Sequence, residues 1–283
     1  MTKLPTLLEM LKAGVHFGHQ KSRWHPKMEP FLFGVRNGVH VIDLEKTVEE
    51  LNKSLDYVRT LAAQGKVILF VGTKRQAREI VKAAAEACEM PYLVERWVGG
   101  LLTNFDEFRR RLKKYKSLKE MVATGEIERY TKKEQSDIKK DIEKMDRYLK
   151  GLTNLDRLPD ALYLADVRVE KTAVTEARRV GVPMVAVCDS NVNPLKIEHP
   201  IPANDDAVNS IKLIVDLIAE AINEGRKDHE KNRAAMVVEK ETKPAFAKAS
   251  TGKEEMPKVA EKKAVVEDKA KKERRVIKKQ EPV

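Results

Sequence analysis

Short, unbroken apolar runs that alternate with amphipathic segments constrain the fold of this chain more than any other feature. A strand that is apolar on both faces must be covered on both sides, and helices provide that cover in a parallel sheet. The pattern therefore predicts an α/β fold with helices on both faces of a parallel sheet. The apolar runs span residues 67–71, 92–94, 161–167 and 184–188, and helical patterns span 45–63, 76–88, 171–180 and 205–223.

The N-terminal region precedes this alternation. Leucines at helical spacing predict a short helix near the start, and a basic loop follows it up to residue 25. The dipeptide Asn37-Gly38 separates two apolar runs, and both of its residues tolerate positive φ, so it predicts a β-hairpin. The proline-containing segment between the last apolar run and the last helix is predicted to be a loop.

Residues 104–155 interrupt the alternation with two stripes of apolar residues at spacings of three and four. One stripe runs from residue 105 to 122 and the other from 138 to 152. Such stripes predict an antiparallel coiled-coil hairpin, which we call the arm. The arm carries 15 Lys/Arg against 10 Asp/Glu, so its outer surface is basic.

Residues 226–283 form a tail of different composition. They carry 18 Lys/Arg against 11 Asp/Glu and a single aromatic residue, Phe246. Such a segment buries too little apolar surface to offset its ordering entropy, so we predict disorder. The predicted organisation is an α/β domain at 1–103 and 156–225, a coiled-coil arm at 104–155 and a disordered basic tail at 226–283.

The formal net charge of +11 and the pI of about 9.4 favour a polyanionic partner, with nucleic acid as the first candidate. Cys88 and Cys188 stand alone in apolar surroundings without a CxxC pair. They therefore predict packed thiols in a cytosolic protein rather than a zinc ribbon or a redox pair. Neither a signal peptide nor a membrane-spanning run is predicted.

The turn Gly72-Thr73-Lys74 follows the first long apolar run, where a phosphate-binding loop would lie in a nucleotide-binding enzyme. It matches neither GxGxxG nor GxxxxGK[ST], and neither GxSxG nor HExxH occurs in the chain. We therefore predict a protein that is not an enzyme and has no cofactor and no small-molecule substrate. A nucleotide-binding enzyme is one alternative, and a docking module whose tail holds RNA is another.

A divalent-ion site is a further alternative. His16 and His19 lie three residues apart and could combine with Asp189, Asp205 or Asp206. A histidine pair alone is weak evidence, so we predict no metal and keep this group as an open question.

Three basic clusters and Arg96 favour an RNA-binding surface, with a solvated face as the alternative for each cluster. In the first cluster cations alternate with Trp24, which either stacks on a base or packs beneath the loop. The second cluster follows one helical face. The positive charges of the third cluster are so close together that they repel each other unless a polyanion neutralises them. The predicted RNA-binding residues are Lys21, Arg23, Trp24, His25 and Lys27; Lys74, Arg75 and Arg78; Arg96; and Arg109, Arg110, Arg111, Lys113 and Lys114.

A series of motifs in this order resembles the S2 family of bacterial small-subunit ribosomal proteins. The resemblance covers roughly residues 5–224. The motifs are GVHFGHQ at 14–20, RWHPKM at 23–28, FGVRNGVHVIDL at 33–44, FVGTK at 70–74, RWVGGLLTNF at 96–105, LPDA at 158–161 and IPANDDA at 201–207.

The resemblance implies a flavodoxin-like parallel sheet with an inserted helical hairpin and no catalytic activity. It implies binding to small-subunit rRNA on the solvent side near the head–body junction, contact with neighbouring ribosomal proteins, and a docking platform for the large protein S1 in mRNA capture. The sequence departs from many members at 106–111, where they are richer in Thr, Ile and Ser, and at 155–157, where a glycine-rich approach is usual. The resemblance says nothing about the long tail.

Overall fold

The computed structural model describes residues 4–242, with side chains described as far as residue 231. Residues 1–237 form one compact unit, and of a second unit at 238–283 only residues 238–242, which are helical, are described. The helices are α1 Leu7–Ala13, α2 Leu44–Ala63, α3 Arg78–Ala87, α4 Phe105–Ala123, α5 Lys132–Leu149, α6 Lys171–Val180 and α7 Val208–Thr242. The strands are β1 Phe17–Gln20, β2 Leu32–Arg36, β3 Val39–Ile42, β4 Ile68–Val71, β5 Tyr92–Leu93, β6 Ala161–Leu164, β7 Met184–Cys188 and β8 His199–Pro202.

The five strands β4 to β8 form a parallel sheet, which confirms the predicted α/β class. Their spatial order is β5-β4-β6-β7-β8, which is the 2-1-3-4-5 order of flavodoxin-like sheets. The prediction of a loop after β7 was wrong for residues 199–202. Pro200 and Pro202 are tolerated in a strand there because β8 lies at the sheet edge, where it pairs with β7 and with no other described strand.

Alternate residues of the sheet enter two separate apolar cores, as a sheet covered on both faces requires. Phe70 and Tyr163 face a core built with α1, α2, α3 and α7. Leu69 and Leu162 face the other core, built with α6 and the base of the arm. Cys88 and Cys188 are both free thiols and lie buried, one in each core.

The N-terminal region forms a separate antiparallel sheet of order β1-β3-β2. The predicted hairpin is confirmed: Asn37 has φ 52° and Gly38 has φ 76° between the paired strands β2 and β3. Strand β1 lies where only a loop was expected. The basic loop is confined to the residues after it, beginning at Lys21.

Helix α7 continues past Gly225, where the sequence predicted the folded domain to end. A Cβ on Gly225 would lie 2.3 Å from the Arg59 carbonyl oxygen, so this glycine permits the close approach of α7 to α2 rather than ending a helix. Arg226 then donates to the Cys88 carbonyl oxygen at 2.6 Å. Residues 243–283, most of the predicted disordered tail, lie outside the described residues.

The arm contains the two helices α4 and α5, joined by a turn. Phe108, Leu112 and Tyr115 of α4 are buried, and the Tyr115 hydroxyl donates to Asp146 of α5. Farther along α4, Val122 is exposed. A coiled coil that continues along the whole arm stays a prediction.

Candidate functional site

The carboxyl ends of β4, β6, β7 and β8 meet at one edge of the sheet and bring a lysine together with several carboxylates. The Lys74 Nζ lies 2.7 Å from an Asp205 oxygen, 2.8 Å from one of Asp206 and 3.1 Å from one of Asp166. Its side chain is only 14% exposed. Burial alone disfavours the charged ammonium, but the bonds to Asp205 and Asp206 raise the pKa of Lys74 above its ordinary value.

His19 ties the N-terminal region to the same edge. Its Nδ1 lies 3.0 Å from an Asp189 oxygen, and its backbone N–H donates to the Ser190 hydroxyl at 2.8 Å. The bond to Asp189 raises the pKa of His19. Burial and the neighbouring carboxylates of Asp166 and Asp189 raise the pKa of Asp205 to about 7. Four aspartates, Asp166, Asp189, Asp205 and Asp206, surround Lys74 and His19, so carboxylates outnumber cations at this edge.

The turn Gly72-Thr73-Lys74 is filled by the protein itself. A Cβ on Gly72 would lie 2.7 Å from a Val81 methyl, so the glycine makes room for α3. The Thr73 N–H donates to a Glu170 carboxylate oxygen at 2.9 Å. A buried carboxylate thus holds the backbone donor that a phosphate would need, which argues against nucleotide binding at this turn.

Three side chains that could hold a metal ion lie near this edge. His19, Asp205 and Asp206 each offer one atom, and these atoms lie within 4.8 Å of one another. The Lys74 ammonium already bonds to both carboxylates, so a cation is built into the cluster. His16 takes no part, because its ring packs on Phe17 with centroids 4.0 Å apart.

In the first predicted basic cluster, Lys21, Arg23 and Lys27 are exposed. Trp24 is half-buried and stacks on His40 with ring centroids 5.1 Å apart. The His25 N–H donates to the Ser190 carbonyl oxygen at 2.8 Å. The loop that carries these cations is thereby fixed to the end of β7.

The second cluster does not share one helical face, and that prediction was wrong. Helix α3 begins only at Arg78, so Lys74 and Arg75 lie in the preceding turn. Lys74 points into the carboxylates, and Arg78 pairs with Glu95 at 3.2 Å. Arg75 alone of these three is exposed without an ion pair among the described residues.

The third cluster lies on the outer surface of α4 and is partly neutralised there. Arg110 and Arg111 both contact Glu107 at 3.4 Å. The described part of the chain offers no ion-pair partner to the exposed side chains of Arg96, Arg109, Lys113 and Lys114.

Sequence reasoning missed a cationic cavity of about 710 Å³ beside the same sheet edge. Arg23 and His25 belong to the first predicted cluster, but the other cations come from separate segments without a dense run, so charge density along the chain did not reveal the cavity. The available signal was the helical spacing of Lys171 and Arg178, seven residues apart on α6. The basic side chains that line the cavity are Arg23, His25, Arg168, Lys171, Arg178 and Lys196.

An exposed apolar face lies between α1 and the N-terminal sheet. The Phe33 side chain is 81% exposed and that of Leu8 61%. Two open cavities of about 830 and 550 Å³ lie along this face. The exposed apolar residues are Leu7, Leu8, Leu11, Phe17, Phe33 and Val35. Contiguous exposed apolar surface of this kind marks interaction sites.

Among the described residues, no helix is long and apolar enough to cross a membrane.

Comparison with known proteins relates the sequence to one family. The sequence profile of the family described as "Ribosomal protein S2" matches residues 10–225. The chain is 50% identical to the small ribosomal subunit protein uS2 of Coprothermobacter proteolyticus over 222 residues, which are 78% of this chain and 83% of the relative. It is 47% identical to the uS2 protein of Endomicrobium trichonymphae over 221 residues, which are 78% of this chain and 91% of the relative. The chain therefore belongs to the ribosomal protein S2 family, a family of structural, non-enzymatic constituents of the small ribosomal subunit.

Proposed function

We propose that this chain binds small-subunit rRNA directly, through the cations of its N-terminal loop and its arm, and that it also presents a docking platform for ribosomal protein S1. The observation that supports rRNA binding is the set of exposed cations without acidic partners among the described residues. Lysine and arginine side chains of this kind neutralise phosphates and release counterions, which supplies most of the affinity for RNA. The set comprises Lys21, Arg23, Lys27, Arg75, Arg96, Arg109, Lys113 and Lys114.

The arm's part in this function is to hold cations at a fixed distance from the sheet. Two helices that pack along a coiled-coil seam would act as a stiff spacer, so that phosphates bound by the arm and by the N-terminal loop keep one relative orientation. Arg110 and Arg111 already face Glu107, so we assign the main phosphate contacts of α4 to Arg109, Lys113 and Lys114.

The test is the salt dependence of binding to small-subunit rRNA with excess transfer RNA as competitor. The triple variant Arg109→Ala, Lys113→Ala, Lys114→Ala should bind more weakly, and the slope of log affinity against log salt should fall by about 0.7–0.9 for each lost contact. A matched control removes three lysines from α2 and α7: Lys53→Ala, Lys212→Ala, Lys227→Ala. Equal slopes for the two triple variants would refute a specific role for the arm and indicate a general charge effect.

The apolar face supports the proposed protein-docking role. Aromatic and aliphatic side chains that stay exposed in the free protein are the usual anchors of protein interfaces. Phe33 on β2 and Leu8 on α1 belong to the two elements that border this face. The resemblance to S2 proteins implies S1 as a partner, and we assign the docking of S1 to this apolar face.

Retention of purified S1 by the immobilised chain tests this assignment. The double variant Leu8→Ala, Phe33→Ala should retain S1 about tenfold less well, because each side chain would lose a buried apolar contact. Val180→Ala on α6 is the control, since it also truncates an exposed apolar residue. Undiminished S1 retention by the double variant would remove the apolar face from the proposal while leaving rRNA binding in place.

A further inference from the structure

We infer that the cationic cavity beside the sheet edge is a phosphate-binding site that takes a turn of the rRNA backbone. This inference rests on the proposed rRNA binding and adds to it a site that joins Arg23 and His25 of the N-terminal loop to further cations outside the predicted clusters. The cavity has a volume of about 710 Å³, much more than a single phosphate group fills, so neighbouring phosphates can enter together.

Three separate segments of the chain build the cavity. Arg23 and His25 come from the N-terminal loop, Lys171 and Arg178 from α6, and Lys196 from the connection between β7 and β8. The N-terminal loop is far in sequence from the other two segments, and Lys196 lies 18 residues after Arg178. The site therefore exists only in the folded chain, which distinguishes it from a charge run that would attract RNA in any conformation.

Hydrogen bonds hold each segment in place before any ligand arrives. The His25 N–H donates to the Ser190 carbonyl oxygen at 2.8 Å, and the Arg168 N–H donates to an Asp166 carboxylate oxygen at 2.7 Å. The Asn193 side chain accepts from the Leu195 N–H at 3.1 Å, just before Lys196. Because the backbone of each segment is already fixed, the side chains that it carries cost little backbone freedom when they bind a ligand, which favours affinity.

The charge of the cavity is uncompensated. Arg168, Lys171, Arg178 and Lys196 are exposed, and within residues 4–231 no carboxylate forms an ion pair with any of them or with Arg23. The lining itself contains no acidic residue. Converging like charges raise the free energy of the empty site, and an entering polyanion removes that repulsion.

The composition of the lining favours a nucleic-acid backbone over a small metabolite. Arginine forks such as Arg168 and Arg178 match phosphate oxygens two at a time. Ser22 also lines the cavity, and its hydroxyl can bond to ribose or phosphate oxygens. These cations are exposed and surround an open cavity, so an RNA strand that passes over the protein surface can reach them.

The test compares two triple variants of the full chain that remove equal charge. The cavity variant is Arg168→Gln, Lys171→Gln, Arg178→Gln, and the arm variant is Arg109→Gln, Lys113→Gln, Lys114→Gln. Affinity for small-subunit rRNA is measured across a salt series, with thermal melting of each variant to confirm folding. We expect the cavity variant to bind on the order of 10- to 100-fold more weakly at physiological salt, with a slope lower by about 2–3.

Two further measurements keep the inference falsifiable. Arg178→Lys keeps the charge but not the fork, so it should lose less affinity than Arg178→Gln. Inorganic pyrophosphate, added at millimolar concentration, should raise the melting temperature of the wild type only slightly and compete weakly with rRNA.

The outcomes separate this inference from the proposed function. If the arm variant loses affinity and the cavity variant does not, rRNA binding stands and the cavity assignment is overturned. If neither variant differs from the Lys53→Ala, Lys212→Ala, Lys227→Ala control, both fail. Strong stabilisation by pyrophosphate with unchanged rRNA affinity of the cavity variant would identify a small-anion site and also overturn the inference.

Discussion

Two basic regions lie at the same edge of the sheet and have opposite electrostatic surroundings. Lys74 is nearly buried and bonds to carboxylates of Asp205, Asp206 and Asp166. The cations of the cavity are exposed, and no carboxylate pairs with them in the described part of the chain. A buried cation that the protein itself neutralises holds the fold together, whereas cations left without partners are available to an external polyanion.

Removing Lys74 should produce the largest effect, because it would leave buried carboxylates without their cation. We expect Lys74→Met to lower the free energy of unfolding by about 3–5 kcal/mol, the usual cost of breaking one side of a buried ion pair. Urea denaturation monitored by circular dichroism measures this loss. Lys53→Met is the control, since Lys53 pairs with Glu50 on the exposed surface of α2.

The second change tests whether the carboxylates account for that loss. Asp205→Asn in the Lys74→Met background should recover part of the lost stability, because one uncompensated carboxylate disappears with the lysine. Additive losses in the double variant would show that Lys74 and Asp205 act independently and would contradict the ion-pair account.

The same cluster predicts a pH dependence of stability. The folded-state pKa values of Asp205 and His19 are both raised, to about 7 for Asp205. A raised folded-state pKa means that the folded chain binds more protons, so stability is present at low pH and falls as pH rises. For Asp205 the fall spans from its ordinary pKa of 3.8 to about 7, and for His19 it begins above 6.5.

Urea denaturation between pH 5 and 8 measures this fall, whose slope for one proton is at most about 1.4 kcal/mol per pH unit. Asp205→Asn should flatten the curve, because the amide does not titrate. A pH profile unchanged by this substitution would mean that other groups dominate the linkage.

The alternation of apolar runs and helices predicted the parallel sheet, because burial on both faces leaves a pattern in consecutive residues. The sequence could not show that Lys74 is surrounded by carboxylates. Asp166, Asp205 and Asp206 come from loops after β6 and β8, and only the sheet order brings them to Lys74. Charge density along the chain therefore placed Lys74 among the predicted RNA-binding residues with no signal of the carboxylates around it.

Gly225 and the cavity illustrate the same limit. The change in composition beyond Gly225 predicted a boundary there, while the role of this glycine depends on the Arg59 carbonyl of a distant helix. The cavity collects cations from three segments, and Arg168 and Lys196 are nearly 30 residues apart, so no local window contains the cluster. Local patterns predict elements, but a site assembled from several elements depends on their packing.

The smallest effect is expected in the cavity, where removing a charge should stabilise the free protein. Arg178→Gln relieves repulsion from Lys171 and Arg168, so the melting temperature should rise by about 1 °C at low salt. Added salt screens this repulsion, so the gain should vanish near 1 M, where the Debye length is about 3 Å.

Arg110→Gln is the matched control: Arg110 faces Glu107, so its loss should bring no gain at low salt. Differential scanning calorimetry in two salt concentrations distinguishes the two variants. A cavity variant that melts at or below the wild-type temperature in low salt would mean that the cavity cations do not repel each other. The two regions would then differ only in how deeply their cations are buried.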